Sequence, residues 1–173
     1  MQPDGSDVHL TSVSDEAAFT EFYSVTRPKI VGALAVNIGD RDLAVEATDE
    51  ALARAFQRWS KVTDLDNPGG WVYRVALNWA TSVLRTRRRR SSRPLFTEGS
   101  VDPPTAREPA LMQAMAKLED GQRAVVTCRY LMDWSVSETA DALGIREGTV
   151  KSRLHRGLAV LRAELGHLAP EER

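Results

Sequence analysis

Apolar residues in this chain recur every three or four positions, which is the spacing of residues along one face of an α-helix. Such repeats occupy most of the sequence, and the most regular one comprises Val150, Leu154, Leu158, Leu161 and Leu165. With 42% hydrophobic and 27% charged residues among 173, the composition is that of a globular protein in water. The pattern predicts an all-α fold.

One segment breaks the helical pattern for long enough to separate two domains. Residues 91–106, SSRPLFTEGSVDPPTA, are rich in Ser, Pro and Gly and have few apolar side chains to bury. Such a composition is typical of a flexible linker. We therefore predict a first small helical domain at residues 1–90 and a second at residues 107–173.

Capping residues and turn formers divide the first domain into three predicted helices. Ser14 can cap the first, and Pro28 can kink or divide it. The second is predicted at residues 42–59. NPGG at residues 67–70 indicates a turn, so a third long helix is predicted at residues 71–90. The inward stripe of this third helix comprises Trp71, Val72, Val75, Ala76, Trp79 and Val83.

The second domain contains a helix, a glycine turn and another amphipathic helix. Two predicted helices, at residues 108–118 and 121–131, come first. Ser135 and Glu138 then have the spacing of a capping box, and Gly144 suits a left-handed helix end. This order of signals predicts a helix-turn-helix.

The second helix of this motif carries a basic outer face. Its outward positions hold hydroxyl, imidazole and cationic groups: Thr149, Lys151, Ser152, Arg153, His155 and Arg156. In a helix-turn-helix the second helix enters the major groove, where Arg and Lys contact guanine edges or phosphates. We therefore predict that these residues bind duplex DNA. The alternative is a basic surface helix without a nucleic-acid role.

Charge is distributed unevenly along a chain whose net charge is only −1. Residues 1–66 hold 6 basic and 12 acidic residues, whereas residues 67–99 hold 7 basic and 1 acidic. The third predicted helix supplies the candidate strand-binding residues Trp71, Arg74, Asn78, Ser82, Arg85 and Arg88. An amide can pair with a base edge, arginines can follow phosphates, and aromatic rings can stack on unpaired bases. The alternatives are that Trp71 and Trp79 are core residues and that the arginine run is a solvated start of the linker.

The helix predicted at residues 42–59 exposes two carboxylates and two guanidinium groups. Asp49 and Glu50 are adjacent in sequence and point in different directions, which does not suit a metal or catalytic site. Together with Arg54 and Arg58, they indicate a docking face for a protein partner. A merely solvated helix face is the alternative.

No residue pattern indicates an enzyme, a metal site or a cofactor. The sequence has no phosphate-binding glycine loop, zinc-ligand spacing or serine nucleophile motif. Its single cysteine, Cys128, cannot form an internal disulfide, and its three histidines are scattered. The sequence shows neither a signal-peptide pattern nor an apolar run that could span a bilayer. We therefore expect a cytoplasmic protein without catalytic residues, cofactor or membrane insertion.

Three segments resemble the extracytoplasmic-function (ECF) sigma factors of bacterial RNA polymerase. LEDGQRAVVTCRYLMDWSVSETADALGIREGTVKSRLHRGLAVLR is similar to the carboxy-terminal DNA-binding domain of that family. DRDLAVEATDEALARAFQRW is similar to its polymerase-docking helix, and NPGGWVYRVALNWATSVLRTRRRR to its promoter-melting helix. The likeness covers roughly residues 14–165, in the order of the family.

The resemblance implies a two-domain initiation factor that binds core RNA polymerase and promoter DNA without catalysis. Asp49, Glu50, Arg54 and Arg58 would bind the clamp helices of the largest polymerase subunit, and the second domain would also meet the flap of the second-largest. Promoter contacts would be divided between the domains. Arg74 and Asn78 would hold the −10 element as it opens, whereas Lys151, Ser152, Arg153 and Arg156 would contact the −35 element.

The resemblance also suggests an anti-sigma protein as a further partner. The chain departs from the family pattern at several places: Asp49 stands where Gln is common, Glu46 alone replaces an acidic pair, LEDGQR replaces a proline-containing entry to the second domain, and Arg146 stands where a capping Ser is common. The competing hypothesis is a helix-turn-helix regulator that does not bind core polymerase. The basic helix at residues 71–90 argues against this hypothesis, because such a regulator does not need to capture a separated strand.

Overall fold

The computed structural model describes residues 13–90 and 109–166, and every regular element within these ranges is helical. The helices are α1 (Val13–Ile38), α2 (Arg41–Gln57), α3 (Trp59–Thr63), α4 (Pro68–Arg90), α5 (Pro109–Ala116), α6 (Asp120–Tyr130), α7 (Val136–Leu143) and α8 (Glu147–Leu165). The predicted all-α fold is confirmed. The predicted linker lies outside the described residues, as do His9 and His167, so the domain boundaries remain predictions. We refer to α1–α4 as the first unit and to α5–α8 as the second unit.

Helix α2 is shorter than predicted. It ends at Gln57, because Arg58 leaves the helical conformation with φ −126° and ψ 27°, and the short helix α3 follows as a separate element. At the other end, Asp40 caps α2 by accepting a hydrogen bond from the backbone N–H of Leu43 at 2.9 Å. Helix α1 is not divided at Pro28, which lies on an exposed side where water can reach the unpaired carbonyl.

Helix α4 begins one turn earlier than predicted, at Pro68. The NPGG segment forms the cap and first turn of the helix instead of a turn before it. The side-chain oxygen of Asn67 accepts a hydrogen bond from the backbone N–H of Gly70 at 2.7 Å. Proline suits the first helical position because the N–H that it lacks would have no partner within the helix.

The buried face of α4 lies beside the predicted stripe and does not coincide with it. Its fully buried residues are Val72, Tyr73, Ala76 and Ala80. The predicted Trp71, Val75, Trp79 and Val83 are half-buried and pack at the edge of the same core. Tyr73, absent from the prediction, is among the largest side chains with no exposed surface.

The first unit packs α1, α2 and α4 around one apolar core. Alanines on α2 face this core at helical spacing: Ala44, Ala47, Ala51 and Ala55. Because these side chains are small, α2 can approach its neighbours closely. Ile30 and Leu34 of α1 and Leu43 and Leu52 of α2 fill the interior without exposed surface beyond 1%.

The second unit contains two smaller clusters on either side of α6. One is formed by Met115, Leu118 and Val126, and the other by Val125, Ala140 and Val150. Gly157 of α8 is buried against α6, where an added Cβ would stand 3.1 Å from Val126 Cγ2. Glycine therefore permits the close crossing that holds α8 on this small core.

The helix-turn-helix forms as predicted. The hydroxyl of Ser135 accepts a hydrogen bond from the backbone N–H of Glu138 at 3.1 Å. In return, the Glu138 carboxylate accepts a hydrogen bond from the backbone N–H of Ser135 at 2.7 Å. Gly144 ends α7 with φ +64°, a left-handed conformation that glycine adopts without strain. Arg146 precedes α8 and provides no side-chain cap. The angle between α7 and α8 is thus fixed by the capping box, the glycine turn and the buried Val150.

Candidate nucleic-acid interface

The basic face of α8 comprises the six predicted residues Thr149, Lys151, Ser152, Arg153, His155 and Arg156. Four are exposed, whereas Thr149 and Arg153 are half-buried. Ser152 donates its hydroxyl to the backbone oxygen of Thr149 at 3.1 Å, and Arg156 donates to the backbone oxygen of Ser152 at 3.3 Å. These bonds are local and exposed, so a nucleic acid can replace them at little cost. The predicted residues thus form one continuous surface, with Arg153 at its inner edge.

Arg153 packs against α6 instead of extending into open solvent. Its guanidinium lies over Gly121 at the start of α6, where an added Cβ would stand 2.9 Å from the guanidinium carbon. It also lines a cleft of about 500 Å³ between the two units. The spacing within α8 predicted an outward position for Arg153, whereas its direction depends on Gly121, more than 30 residues earlier in the chain.

The basic face of α4 comprises Arg74, Asn78, Ser82, Arg85 and Arg88, all of which are exposed. Asn78, Arg85 and Arg88 line the cleft that Arg153 enters from the opposite side. Trp71 is half-buried against the core of the first unit. Its contact with the core favours the structural alternative for this tryptophan, although the residue is partly exposed.

Arginine dominates the charged groups around the cleft. Arg85, Arg88, Arg123 and Arg153 line it, with Asp120 as the acidic residue among the lining side chains. A concave surface on which one sign of charge is in excess concentrates counter-ions, and an excess of positive charge attracts a polyanion. The electrostatics of this region therefore suit nucleic acid, in agreement with the uneven charge distribution along the sequence.

The predicted docking face of α2 (Asp49, Glu50, Arg54 and Arg58) is organised by two ion pairs. Arg54 pairs with Glu50 one turn away at 2.8 Å. Asp49 is held by a residue that the sequence did not suggest: Arg27 of α1 donates from Nε at 2.6 Å and from Nη2 at 2.9 Å. This bidentate bond raises the pKa of Arg27. Arg58 is exposed at the break between α2 and α3.

A cluster of aromatic rings lies next to the docking face and was not predicted as part of it. Phe19 contacts Phe56 at a centroid distance of 4.9 Å and Trp59 edge-on at 5.2 Å. Phe19, Tyr23, Asp49 and Phe56 are among the residues that surround a hollow of about 260 Å³, and Tyr23 and Phe56 are each 39% exposed. Exposed aromatic side chains beside charged groups are typical of protein interfaces. In the sequence, Phe19 and Phe22 are three positions apart, a spacing that indicates a helix face but not an interface.

Two further findings concern possible metal ligands and membrane-spanning helices among the described residues. Within residues 13–90 and 109–166, no three side chains of His, Cys, Asp or Glu are grouped as metal ligands would be. In the same ranges, no helix has the length and apolarity needed to cross a bilayer.

Cys128 is completely buried, and this burial raises the pKa of its thiol to about 12.

Comparison with known proteins gives matches to both halves of the chain. Residues 109–161 match the protein family described as Sigma-70, region 4. The RNA polymerase sigma-E factor of Streptomyces antibioticus is 38% identical over 126 residues, which cover 70% of each chain. The ECF RNA polymerase sigma factor SigL of Mycobacterium tuberculosis is 33% identical over 144 residues, which cover 75% of this chain and 78% of that one.

A solved structure has the same fold. The sigma factor RpoE from Bartonella quintana, in complex with the anti-sigma factor NepR, superposes with a TM-score of 0.77 at 19% identity. The match covers 86% of this chain and 97% of that one. The aligned length of the Streptomyces relative, 126 residues, is more than twice that of the matched region at residues 109–161. The likeness therefore extends well beyond the helix-turn-helix.

Proposed function

This chain belongs to the ECF family of RNA polymerase sigma factors, and from that premise we propose which of its surfaces bind core polymerase and which bind promoter DNA. As a sigma factor it binds core RNA polymerase and directs initiation at promoters through their −35 and −10 elements. Which residues make each contact is our proposal. It is supported by one observation above the others: two basic faces on two different helices, α4 and α8.

The basic face of α8 is proposed to bind the −35 element as closed duplex. Val150 and Gly157 anchor the inner side of the helix, and the outer side offers cations and hydroxyl groups. A preformed helix of this kind fits the major groove, where each base pair presents a distinct pattern of donors and acceptors. Arg156 and Lys151 are the exposed cations best placed for base and phosphate contacts.

The basic face of α4 is proposed to hold the −10 element while its strands separate. Asn78 offers an amide to the edge of an unpaired base, and Arg85 and Arg88 offer charge to the phosphates of the displaced strand. Trp71 is retained as a stacking candidate because the residue is partly exposed. Strand capture by this face would favour promoter opening, because the separated state gains contacts that the duplex cannot make.

The docking face of α2 is proposed to bind the clamp helices of the largest polymerase subunit. Its ion pairs leave Arg54 and Arg58 at the surface, and the neighbouring aromatic hollow adds apolar area. Polar groups beside partly exposed aromatic rings give both specificity and burial. The second unit is proposed to meet the flap of the second-largest subunit.

The competing regulator hypothesis is not favoured, because the sigma-factor likeness includes the part of the chain that precedes the helix-turn-helix. The relatives are sigma factors, which are not enzymes, and we propose that this chain likewise acts without catalysis, in the cytoplasm where polymerase and DNA meet.

The Bartonella sigma factor was solved with an anti-sigma factor. An anti-sigma protein is therefore included among the proposed partners of this chain.

Transcription in vitro tests this function directly. Purified protein is added to bacterial core RNA polymerase with a library of genomic fragments, and core enzyme alone is the control. We expect discrete start sites that depend on the protein and share two sequence elements upstream. A stable complex with core enzyme should also be isolated by gel filtration. Failure to form that complex would refute the proposal.

A further inference from the structure

The bond between Arg27 and Asp49 ties the docking face of α2 to a second helix. Arg27 of α1 donates to one carboxylate oxygen of Asp49 from Nε at 2.6 Å and to the other from Nη2 at 2.9 Å. Two parallel bonds fix both the distance and the orientation of a carboxylate, whereas a single bond leaves it free to rotate. The Asp49 carboxylate is therefore held in one orientation relative to α1.

Arg27 is itself restrained on α1. Its guanidinium carbon lies 6.0 Å from the centre of the Tyr23 ring, which is one helical turn earlier. This distance is at the outer limit of a cation–π contact. The Arg27 side chain is 32% exposed, compared with 48% for Arg54 on the docking face. Arg27 therefore has less freedom to move than an ordinary surface arginine.

The other ion pair of the docking face has a different geometry. Nε and Nη2 of Arg54 both approach a single oxygen of Glu50, Oε1, at 2.8 Å. The two residues are four positions apart on α2 and exposed, so their pair contributes little to stability. It also does not fix Glu50 relative to another helix. Of the two neighbouring carboxylates, Asp49 is thus the one whose position is determined by tertiary structure.

The Asp49 carboxylate remains accessible to a partner. Its side chain is 45% exposed although both of its oxygens accept a bond from Arg27. A carboxylate has about four acceptor positions, so about two remain open. An ionised carboxylate has no proton to donate, and the partner group that meets it must therefore be a hydrogen-bond donor. Asp49 also borders the hollow lined by Tyr23 and Phe56, so this donor would stand beside apolar surface.

Arg27 lowers the cost of covering Asp49 with a partner. Binding removes water from the docking face, and a carboxylate that loses water without another partner is strongly penalised. Asp49 keeps two charge-assisted bonds from Arg27 when the water leaves. Because its orientation is already set, little side-chain freedom remains to be lost on binding.

We infer that Arg27 is a positioning residue of the docking face, which holds the Asp49 carboxylate in the orientation in which a hydrogen-bond donor of core RNA polymerase meets it. The inference rests on the proposed function, because it concerns the same face. Arg27 acts through Asp49 and does not contact polymerase itself. An amide has only one oxygen and cannot accept the two parallel bonds, so Arg27 and Asp49 are matched to each other.

A double-mutant cycle on the affinity for core polymerase tests the inference. Full-length proteins with a fluorescent label at the amino terminus are titrated with core enzyme. Arg27→Gln should weaken binding about tenfold, because Asp49 loses its orientation and its charge partner. Asp49→Asn should weaken binding at least as much. In the Asp49→Asn background, Arg27→Gln should add a loss of less than about twofold, since Arg27 acts through Asp49.

Two further variants separate positioning from charge. Arg27→Lys keeps the charge but not the planar fork, so it should bind about threefold more weakly than the original protein. Lys29→Gln removes the same charge from an exposed position of α1. Residues two positions apart face different sides of a helix, so this matched control should bind like the original protein.

Stability measurements separate positioning from a structural role. Circular dichroism and urea denaturation show whether each variant is folded under the conditions of the titration. A purely structural role of Arg27 would lower the urea midpoint and leave the affinity of the folded protein unchanged. If Arg27→Gln does not fold, Arg27→Lys with and without Asp49→Asn completes the same cycle.

Three results would overturn the inference. The first is a folded Arg27→Gln variant that binds like Lys29→Gln, and the second is a loss from Arg27→Gln that is equally large in the Asp49→Asn background. The third is an Arg27→Lys variant with the original affinity, which would mean that charge alone matters.

Failure of the proposed function would look different. The original protein would not bind core polymerase, and the inference would fall with it. If the original protein binds and Arg54→Ala weakens that binding while Arg27→Gln does not, the docking face stands and only the inference fails. The two failures are therefore distinguishable.

Discussion

The two basic helices of this molecule differ in how they are held. Helix α4 has 23 residues, and its inner side belongs to the main core through Val72, Tyr73, Ala76 and Ala80. Helix α8 has 19 residues, of which only Val150 and Gly157 are buried. One helix is thus part of a core, and the other rests on a small support formed by α6 and α7.

This difference matches the two kinds of nucleic acid that the helices are proposed to bind. A helix that enters a groove must expose most of its circumference, so few of its residues can be buried. A helix that captures a separated strand needs only one open side, and a well-packed opposite side keeps it rigid. The same difference predicts which substitutions affect stability and which affect only binding.

The largest effect is expected at the buried side of α4. Tyr73→Ala removes a completely buried ring from the core and should lower the free energy of unfolding by about 3–5 kcal/mol. Val150→Ala, at the best-buried position of α8, should cost only about 1.5 kcal/mol. Urea denaturation of the full chain measures both. Equal losses would contradict the difference between the two helices.

Tyr73→Phe distinguishes the contribution of the Tyr73 ring to stability from that of its hydroxyl group. The ring still fills the core, but the hydrogen bond from Asn37 is lost, which should cost about 1 kcal/mol. A loss as large as that of Tyr73→Ala would mean that the hydroxyl, and not the buried ring, holds α4 in place.

The next effect is expected on the exposed side of α8. Arg156→Ala should leave the urea midpoint unchanged and weaken binding of the −35 element by about 1–3 kcal/mol if Arg156 reads a base. The loss should depend on sequence and disappear on duplexes altered at one base pair. Lys151→Ala is the comparison, with a uniform loss expected for a phosphate contact. Competition binding with single-base variants of the −35 element distinguishes the two, and a uniform loss for Arg156 would reassign it to phosphate.

Asn78 on α4 should affect a later step than Arg156. Asn78→Ala should leave binding to core polymerase intact and reduce promoter opening about tenfold, or about 1.4 kcal/mol, because one contact to an unpaired base is lost. Permanganate reactivity of unpaired thymines in the −10 region measures opening, and gel filtration measures the complex. Unchanged opening would remove Asn78 from the proposed site.

Local signals in the sequence were sufficient for most of the helices and for the helix-turn-helix. Apolar spacing identified the long helices, and the Ser135 and Glu138 pair identified the start of α7 because a capping box depends on residues three positions apart. The NPGG segment was misjudged for a physical reason. Its proline fits either a turn or the first residue of a helix, and the bond from Gly70 to Asn67 selects the helix.

Contacts between distant segments could not be predicted from one sequence. Arg27 lies 22 residues before its partner Asp49, and Trp134 meets Tyr73 across a chain separation of about sixty residues. Tyr73 itself was missed because its hydroxyl makes it an ambiguous core residue until Asn37 is placed beside it. The role of each proposed DNA- or polymerase-binding residue depends on the shape and charge of the partner surface, which the sequence of this chain does not contain.

The smallest effect is expected at the capping box of α7, the helix that supports α8. Because the core beneath α8 is small, the hydrogen bonds of this capping box add to the stability of the helix-turn-helix. Glu138 accepts the backbone N–H of Ser135, which lowers the pKa of its carboxyl group. A lowered pKa means that the stabilisation is present above the unfolded pKa of about 4.3 and is lost as pH falls through the folded value. Glu138→Gln keeps an acceptor but removes the charge near the start of α7.

This variant should therefore lose about 0.5 kcal/mol at neutral pH and differ less from the original protein as the pH falls below about 4.3. Urea denaturation at several pH values, followed through unfolding of the second unit, measures the difference. A loss that persisted unchanged in acid would show that packing of the side chain, and not its charge, supports the helix-turn-helix. Helix α4 is held by the main core, whereas α8 is supported through the capping box of α7. This contrast would then have no electrostatic component.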